Sequence, residues 1–127
     1  MAEMGAQIMA LAKLTESEEV VMKSVWDSEK EPVLSDVVER VNSIYEKNWK
    51  PQTVSTFLAK LVQKRYLELQ REGKIYSYKI LVSETDYKRK LYLQHVHFWY
   101  HNDMKEFVMS MIENGDLSRE ALDKLTD

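Results

Sequence analysis

The sequence predicts a mainly α-helical fold that contains one small β-hairpin. Apolar side chains recur at helical spacing along most of the chain, and only three Gly and two Pro occur in 127 residues, which leaves little room for long loops. Alternation of apolar and polar residues is confined to a stretch around residues 67–81, which favours two short strands. The length is that of one compact unit, or of a small domain with an appendage.

The composition excludes several classes of protein. Apolar residues make up 44% and charged residues 31%, as in soluble globular proteins. The absence of Cys excludes disulfide scaffolds and Cys-based metal sites. No segment approaches the ~20 apolar residues of a membrane span, and no signal peptide is recognisable, so we expect a cytoplasmic protein without a membrane partner. No catalytic motif stands out, and we expect neither an enzyme nor a cofactor.

The net charge of −3 conceals an uneven distribution. Residues 14–46 carry three basic and nine acidic side chains, a charge of −6, whereas residues 47–79 carry eight basic and two acidic ones, a charge of +6. Residues 83–127 carry six basic and nine acidic side chains. A basic middle third attracts polyanions whatever the charge of the whole chain.

The first element follows an extension, residues 1–13, that is predicted to be loose or partly helical. Thr15 and Glu18 have the spacing of a capping box, and the helix that they begin is expected to span about 15–28.

A second helix is predicted from Ser35-Asp36, after a short extended piece at Val33-Leu34 that is available as a third strand. Its expected buried stripe consists of Val37, Val38, Val41, Ile44 and Tyr45.

The third helix is predicted to begin at Pro51, because proline is tolerated in the first turn of a helix. Its core-facing stripe is Val54, Phe57, Leu58, Leu61 and Val62. No acid occurs between Lys50 and Tyr66, so the exposed face is small, hydrogen-bonding or basic. A solvated face that happens to lack acids is the alternative interpretation.

A β-hairpin follows, with strands near 67–71 and 75–81 joined by a turn at Glu72-Gly73. Three helices followed by a two-stranded hairpin are the layout of a winged helix-turn-helix domain. The hairpin must pack on the helices, because an isolated one is marginally stable.

The rest of the chain, residues 83–127, is predicted to be helical. One helix runs from Ser83 to about His101, a second ends at Asn114-Gly115, and Ser118 caps a short third. So few large apolar residues cannot form a core alone, and pairing with a second copy would bury them. The candidate dimerisation residues are Leu91, Phe98, Met104, Phe107, Val108, Met111, Ile112 and Leu122. The predicted organisation is an extension at 1–13, a winged-helix domain at 14–82 and a helical dimerisation domain at 83–127.

The acid-free helix face is the strongest chemical signal. A helix that enters the major groove of DNA must hydrogen-bond base edges and must not repel phosphate. Gln52 can pair with adenine, and Thr53, Ser55 and Thr56 can donate to phosphates or contact bases and thymine methyl groups. A basic wing would supply phosphate contacts, although a lone turn lysine such as Lys74 often only keeps a turn soluble. The candidate DNA-binding residues are Lys50, Gln52, Thr53, Ser55, Thr56, Lys60, Arg71 and Lys74.

The three histidines are a second candidate feature. His97 and His101 have the i, i+4 spacing of two metal ligands on a helix, and His95 lies nearby. Because no Cys is present and no Glu occurs in that turn, the set is incomplete and we assign no metal. Surface or interface histidines are the plainer interpretation.

Three segments, Leu14–Trp26, Trp49–Leu67 and Glu72–Tyr78, resemble the penicillinase-repressor family of bacterial transcriptional regulators, which includes the methicillin-resistance and copper-transport repressors. The resemblance covers about residues 14–125. It implies a homodimer whose winged-helix domains bind a palindromic operator of double-stranded DNA and repress a resistance or transport gene. It places the helix beginning at Pro51 in the major groove and Lys74 in the wing contact.

The sequence also departs from the family pattern. Glu19 stands where Trp is frequent, which is expected to change core detail but not the fold. Gln52 stands where Lys is frequent and Lys74 where Arg is usual, so operator preference is expected to differ. The copper-responsive branch has a Cys-rich motif that this chain lacks. The antibiotic-responsive branch is inactivated by cleavage of an Asn-Phe bond, and the aligned bond here is Ser110-Met111. An inactivating protease is therefore a candidate partner by alignment only.

Two other functions remain open at this point. The basic face could bind an acidic protein, which would make the domain a winged-helix protein-interaction module, or the histidines could serve a metal-responsive regulator. A salt titration against duplex DNA separates a repressor from a protein-interaction module, because several phosphate contacts give a steep log–log slope.

Overall fold

A computed structural model describes residues 2–126 of the chain. Within them it contains seven helices and two strands: α1 (Ala2–Met9), α2 (Glu16–Trp26), α3 (Leu34–Ser43), α4 (Pro51–Gln63), β1 (Leu67–Glu72), β2 (Ile75–Ile80), α5 (Glu84–Trp99), α6 (Met104–Glu113) and α7 (Arg119–Thr126). The fold class is the predicted one. Two compact units divide the chain: the winged-helix unit, Ala10–Tyr87, and the second unit, Met1–Met9 with Lys88–Asp127.

The start of helix α2 confirms the predicted capping box. The Glu18 backbone N–H donates to the Thr15 hydroxyl at 3.2 Å, and the Thr15 N–H donates to Glu18 Oε1 at 2.7 Å. Two backbone donors that the helix cannot pair are thereby satisfied. Helices α2, α3 and α4 then bury one continuous core, which includes Val21, Met22, Val25, Val37, Val41, Val54, Leu58, Leu61, Tyr66 and Leu67.

Two predictions about helix α3 are wrong. Val33 has extended backbone, but Leu34 already opens the helix, and the sheet of the described residues has two strands. Next to this segment, the Tyr78 N–H of β2 donates one sheet-like hydrogen bond to the Pro32 carbonyl at 3.2 Å. Ile44 is 55% exposed rather than buried, because α3 ends at Ser43 and the chain turns away.

Helix α4 begins at Pro51, as predicted, after an extended N-cap at Lys50. The helix ends with Arg65 in the left-handed region at φ 64°. The Arg65 N–H donates to the Val62 carbonyl, and the Tyr66 N–H donates to the Leu61 carbonyl. This pair of bonds is the Schellman arrangement of a helix C-terminus. It redirects the chain straight into β1.

The hairpin pairs Leu67 with Ile80 and Glu72 with Ile75, so a two-residue turn, Gly73-Lys74, forms its tip. Gly73 has φ 64°, a conformation that glycine adopts without a Cβ clash. The prediction of a hairpin with its turn at this glycine is confirmed.

The second unit contains α1, the greater part of α5, and helices α6 and α7. As predicted, Asn114-Gly115 ends α6, with Gly115 at φ 81°, and the Ser118 hydroxyl caps α7 by accepting from the Ala121 N–H. In α1, Ile8 is buried, and the buried ammonium of Lys90 donates to the Met9 carbonyl at 3.0 Å. No helix within residues 2–126 is both long and apolar enough to cross a membrane.

Candidate nucleic-acid interface

Helix α4 presents two contrasting faces. Val54, Leu58 and Leu61 are completely buried against the core. The opposite face is exposed, with Ser55 half-buried at its margin, and it carries Gln52, Thr53, Thr56, Ala59 and Lys60. From Gln52 to Lys60 this face spans about 12 Å, which suits one pass through a groove of duplex DNA. The structure therefore brings five predicted DNA-binding residues onto one acid-free surface.

The polar atoms of this face differ in what already binds them. The Thr56 hydroxyl donates to the Gln52 carbonyl at 3.0 Å, so its methyl group and its oxygen lone pairs are what it can offer a partner. Lys60 lies 6.0 Å from the centre of the Phe57 ring. Lys50 is exposed at the helix N-cap and makes no capping bond through its side chain.

The two basic residues of the wing are held differently. The Arg71 Nε donates to the Gly73 carbonyl at 2.7 Å, and its guanidinium lies 5.4 Å from the centre of the Tyr76 ring. These contacts fix the cation beside the hairpin tip. Lys74, at the tip itself, is exposed and forms no hydrogen bond or ion pair with the described residues. Its ammonium is therefore available to an anionic partner.

Lys64 counts toward the basic third of the sequence, but the fold uses it elsewhere. Its ammonium donates to Glu18 Oε1 at 2.6 Å and to the Lys13 carbonyl at 2.8 Å. Burial alone raises the pKa of Glu18, but the hydrogen bonds from Lys64 and Thr15 outweigh it and hold that pKa below its usual value of 4.5. The pair neutralises one positive charge that sequence counting assigned to the surface.

An open apolar groove borders the α4 face. It has a volume of about 740 Å³, and Ser55 lines it together with Leu34, Leu69, Ile75 and Tyr78. The groove thus separates the start of α3 from the wing, with no acidic side chain along its walls.

None of the candidate dimerisation residues is buried in the single chain. Helices α6 and α7 contain no buried residue among those described. Leu91, Met104 and Phe98 are exposed, the last to 69%, while the other five candidates, Phe107, Val108, Met111, Ile112 and Leu122, are half-buried. Trp99, which the sequence places with Phe98 and Tyr100 in an aromatic run expected at the dimer core, is 66% exposed and packs edge-on against Phe98. Exposed apolar patches of this kind mark interaction sites.

The histidines do not adopt the predicted ligand spacing. Helix α5 ends at Trp99, and His101 lies beyond it with φ 50°, so His97 and His101 are not successive turns of one helix. His97 Nδ1 instead lies 2.8 Å from the Asn102 side-chain oxygen, and the His95 ring lies 5.4 Å from that of Phe107. Within residues 2–126 no three His, Cys, Asp or Glu side chains are grouped as a metal would require.

The Ser110-Met111 bond lies inside helix α6, and both residues are half-buried. The Ser110 hydroxyl donates to the Phe107 carbonyl at 2.7 Å and lies 3.1 Å from the Tyr100 hydroxyl. A protease would reach this bond only after local unfolding of the helix.

The chain is similar to known bacterial regulators. The family model for penicillinase repressors matches residues 14–127. The methicillin resistance regulatory protein MecI of Staphylococcus aureus (strain N315) is 26% identical over 113 residues, 89% of each chain. The penicillinase repressor of Bacillus licheniformis is 24% identical over 115 residues, 91% of this chain and 88% of that one.

A solved structure resembles the winged-helix part of the fold. It is the solution structure of the Bacillus licheniformis BlaI monomeric form in complex with the blaP half-operator, with a TM-score of 0.51 and 26% sequence identity. The alignment covers 61% of this chain and 90% of that one.

Proposed function

Because the chain belongs to the penicillinase repressor family, we propose that it is a DNA-binding transcriptional repressor that blocks a promoter by occupying it. The observation that carries the proposal is the exposed face of α4, which lacks acids and stands beside a wing whose Lys74 is unpaired within the described chain. The relatives named above support it, because one of them was solved bound to a half-operator.

In this proposal α4 enters the major groove. Gln52, Thr53 and Thr56 lie on its first two turns and would read base edges, whereas the ammonium groups of Lys50 and Lys60 would neutralise phosphates. Ser55 and the wing residues Arg71 and Lys74 would contact the flanking backbone of the duplex. Phosphate contacts give affinity for any sequence, and base contacts give the preference for an operator.

We further propose that the repressor acts as a homodimer on a palindromic operator. The unburied apolar residues of the second unit support this, because Phe98 and Trp99 expose more than 60% of their surface in a single chain. A two-fold dimer presents two copies of α4, and its operator repeats the half-site in inverted order. The regulated gene would be one of antibiotic resistance, as the names of the relatives suggest, or one of transport.

Inactivation by a protease at Ser110-Met111 is the finer part of the proposal. A cut there would divide α6 and separate Met111, Ile112 and Leu122 from the five other candidate dimerisation residues. Mass spectrometry of the repressor recovered from induced cells would show fragments ending at Ser110, and intact chain after induction would contradict cleavage.

Substitutions on α4 test the DNA role. Gln52→Ala should weaken binding to a preferred duplex by about 1–3 kcal/mol and leave binding to a scrambled duplex nearly unchanged. Gln63→Ala is the matched control, because Gln63 is exposed on the same side of α4 about 16 Å further along. Fluorescence anisotropy with both duplexes gives the four affinities. Equal losses on both duplexes would remove Gln52 from base reading.

A charge on the apolar surface tests the dimer. Phe98→Asp in the full chain should yield monomers by sedimentation, because a carboxylate at a covered apolar contact is left unpaired. Ile44→Asp, which changes an exposed apolar residue of the winged-helix unit, should leave the assembly unchanged. A Phe98→Asp chain that still sediments as a dimer would contradict the assignment.

A further inference from the structure

The connection between α3 and α4 has little backbone pairing of its own. It spans residues 44–50 and bends at Glu46, whose φ is 55°. The Lys47 N–H donates to the Val41 carbonyl at 3.1 Å. Beyond that bond, no backbone N–H of residues 48–50 donates to a backbone carbonyl of the described chain. The last residues before α4 therefore depend on side chains for their position.

One side chain supplies this anchor. The Asn42 carboxamide donates to the Trp49 carbonyl at 3.0 Å and accepts from the Trp49 N–H at 2.9 Å. The polarity of the backbone fixes which way the amide faces, because Trp49 must donate one bond and accept the other. Asn42 lies in the last turn of α3 and thus pairs with the connection much as a neighbouring strand would.

Trp49 passes this restraint to α4. It directly precedes the N-cap Lys50, and its ring lies 5.1 Å from that of Phe57, nearly two turns into the helix. The ammonium of Lys47, which also lies on the connection, is 5.5 Å from the centre of the Trp49 ring. Both the backbone and the ring of Trp49 are therefore held, and the first turn of α4 starts from a defined point.

We infer that Asn42 is a positioning residue for the α4 face: it fixes where the helix begins, and so where Gln52 and Thr53 lie against base edges. The inference rests on the proposed DNA-binding function. Base-edge hydrogen bonds are short and directional, so a shift of about 1 Å breaks them. Long lysine side chains tolerate such a shift and keep their phosphate contacts. Loss of Asn42 should therefore reduce affinity for the preferred duplex much more than affinity for other DNA sequences.

Two substitutions remove the anchor in different ways. Asn42→Ala removes both bonds, whereas Asn42→Asp keeps the acceptor for the Trp49 N–H but places a carboxylate oxygen against the Trp49 carbonyl. Asn48→Ala is the control, because Asn48 is exposed in the same connection and its side chain makes no hydrogen bond with the described residues. The probes are a duplex that the wild-type chain selects from a random pool and a scrambled duplex of equal composition.

Binding is measured where circular dichroism shows each variant to be fully folded. Both Asn42 variants should lose about tenfold or more on the selected duplex and less than about twofold on the scrambled one. Asn48→Ala should change neither affinity. Equal losses on both duplexes, or no loss on either, would leave the ratio of the two affinities unchanged. Either result would overturn the positioning role while leaving the proposed function intact. A wild-type chain that selects no sequence from the pool would overturn both.

Hydrogen exchange of the wild-type chain tests the anchor without any substitution. The Trp49 amide should be protected, because the Asn42 carboxamide is its acceptor. The backbone amide of Asn48, the residue directly after Lys47, donates no backbone bond within the described chain and should exchange freely. Equal exchange at the two positions would overturn the inference even if neither Asn42 variant folded.

Discussion

Glu18 is the residue whose loss should damage the winged-helix unit most visibly. Its side chain is 2% exposed, and one oxygen, Oε1, accepts both the Thr15 N–H at 2.7 Å and the Lys64 ammonium at 2.6 Å. Glu18 thereby joins the start of α2 to the end of α4, residues 46 apart in sequence. Substitution should weaken both the cap and this long-range link.

The expected magnitude follows from these two bonds. A hydrogen bond to a charged group contributes about 1.5–3 kcal/mol, and loss of a helix-capping bond costs about 1 kcal/mol. Lys64 is 29% exposed, so its ammonium can turn into water and leaves no stranded charge. Glu18→Ala should therefore cost about 2–4 kcal/mol. Glu18→Gln, which keeps an acceptor for Thr15 but loses the ion pair, should cost about half of that.

Urea unfolding followed by tryptophan fluorescence measures both variants. With an m-value of about 2 kcal/mol/M, Glu18→Ala should lower the midpoint by about 1–2 M. Glu16→Ala is the control: Glu16 is exposed in the same first turn, and its loss removes only a favourable helix-dipole charge, about 0.3–1 kcal/mol. If the Glu18 and Glu16 variants were equally stable, the account of Glu18 as a structural link would be wrong.

Three further outcomes are expected. The pKa of Glu18 in the folded chain lies below 4.5, so its stabilisation is present above about pH 4.5 and is lost as the pH falls through the folded pKa. The difference in unfolding free energy between wild type and Glu18→Gln should therefore shrink in acid, and a difference that stays constant with pH would contradict the lowered pKa. Lys74→Ala should make the slope of log K against log salt shallower by about one per subunit, whereas Lys30→Ala, in the acidic stretch, should not change the slope; equal slopes for wild type and Lys74→Ala would remove the wing from the contact. Arg65→Gly should stabilise the unit by up to about 1 kcal/mol, since φ 64° strains a residue with a Cβ, and Gln63→Gly in the last turn of α4 should destabilise it; thermal melts with the same sign for both would refute the strain.

The features that the sequence predicted correctly are local. Thr15 and Glu18 are three residues apart, so the capping box depends on one helical turn. Pro51 and Gly73 act through their own backbone dihedral angles and mark a helix start and a hairpin turn. The exposed face of α4 follows from the period of its buried residues. Such signals need no knowledge of the tertiary structure.

The features that the sequence did not predict depend on residues far apart or on where a helix stops. Nothing in the sequence pairs Lys64 with Glu18, so the basic patch looked one charge larger than the surface it forms. His101 kept the i, i+4 spacing only on the assumption that α5 continues past Trp99. No sequence pattern reveals the two hydrogen bonds between the Asn42 carboxamide and the backbone of Trp49.

Selection of duplexes from a random pool by the purified full-length chain tests the central proposal most directly. A homodimer that reads DNA with two copies of α4 should enrich an inverted repeat whose half-sites lie about one helical turn apart, or a multiple of it. The enrichment should survive moderate salt, because base contacts rather than phosphate contacts set the preference. A pool without an enriched sequence would contradict a sequence-specific repressor, and a single unrepeated motif would contradict the dimer.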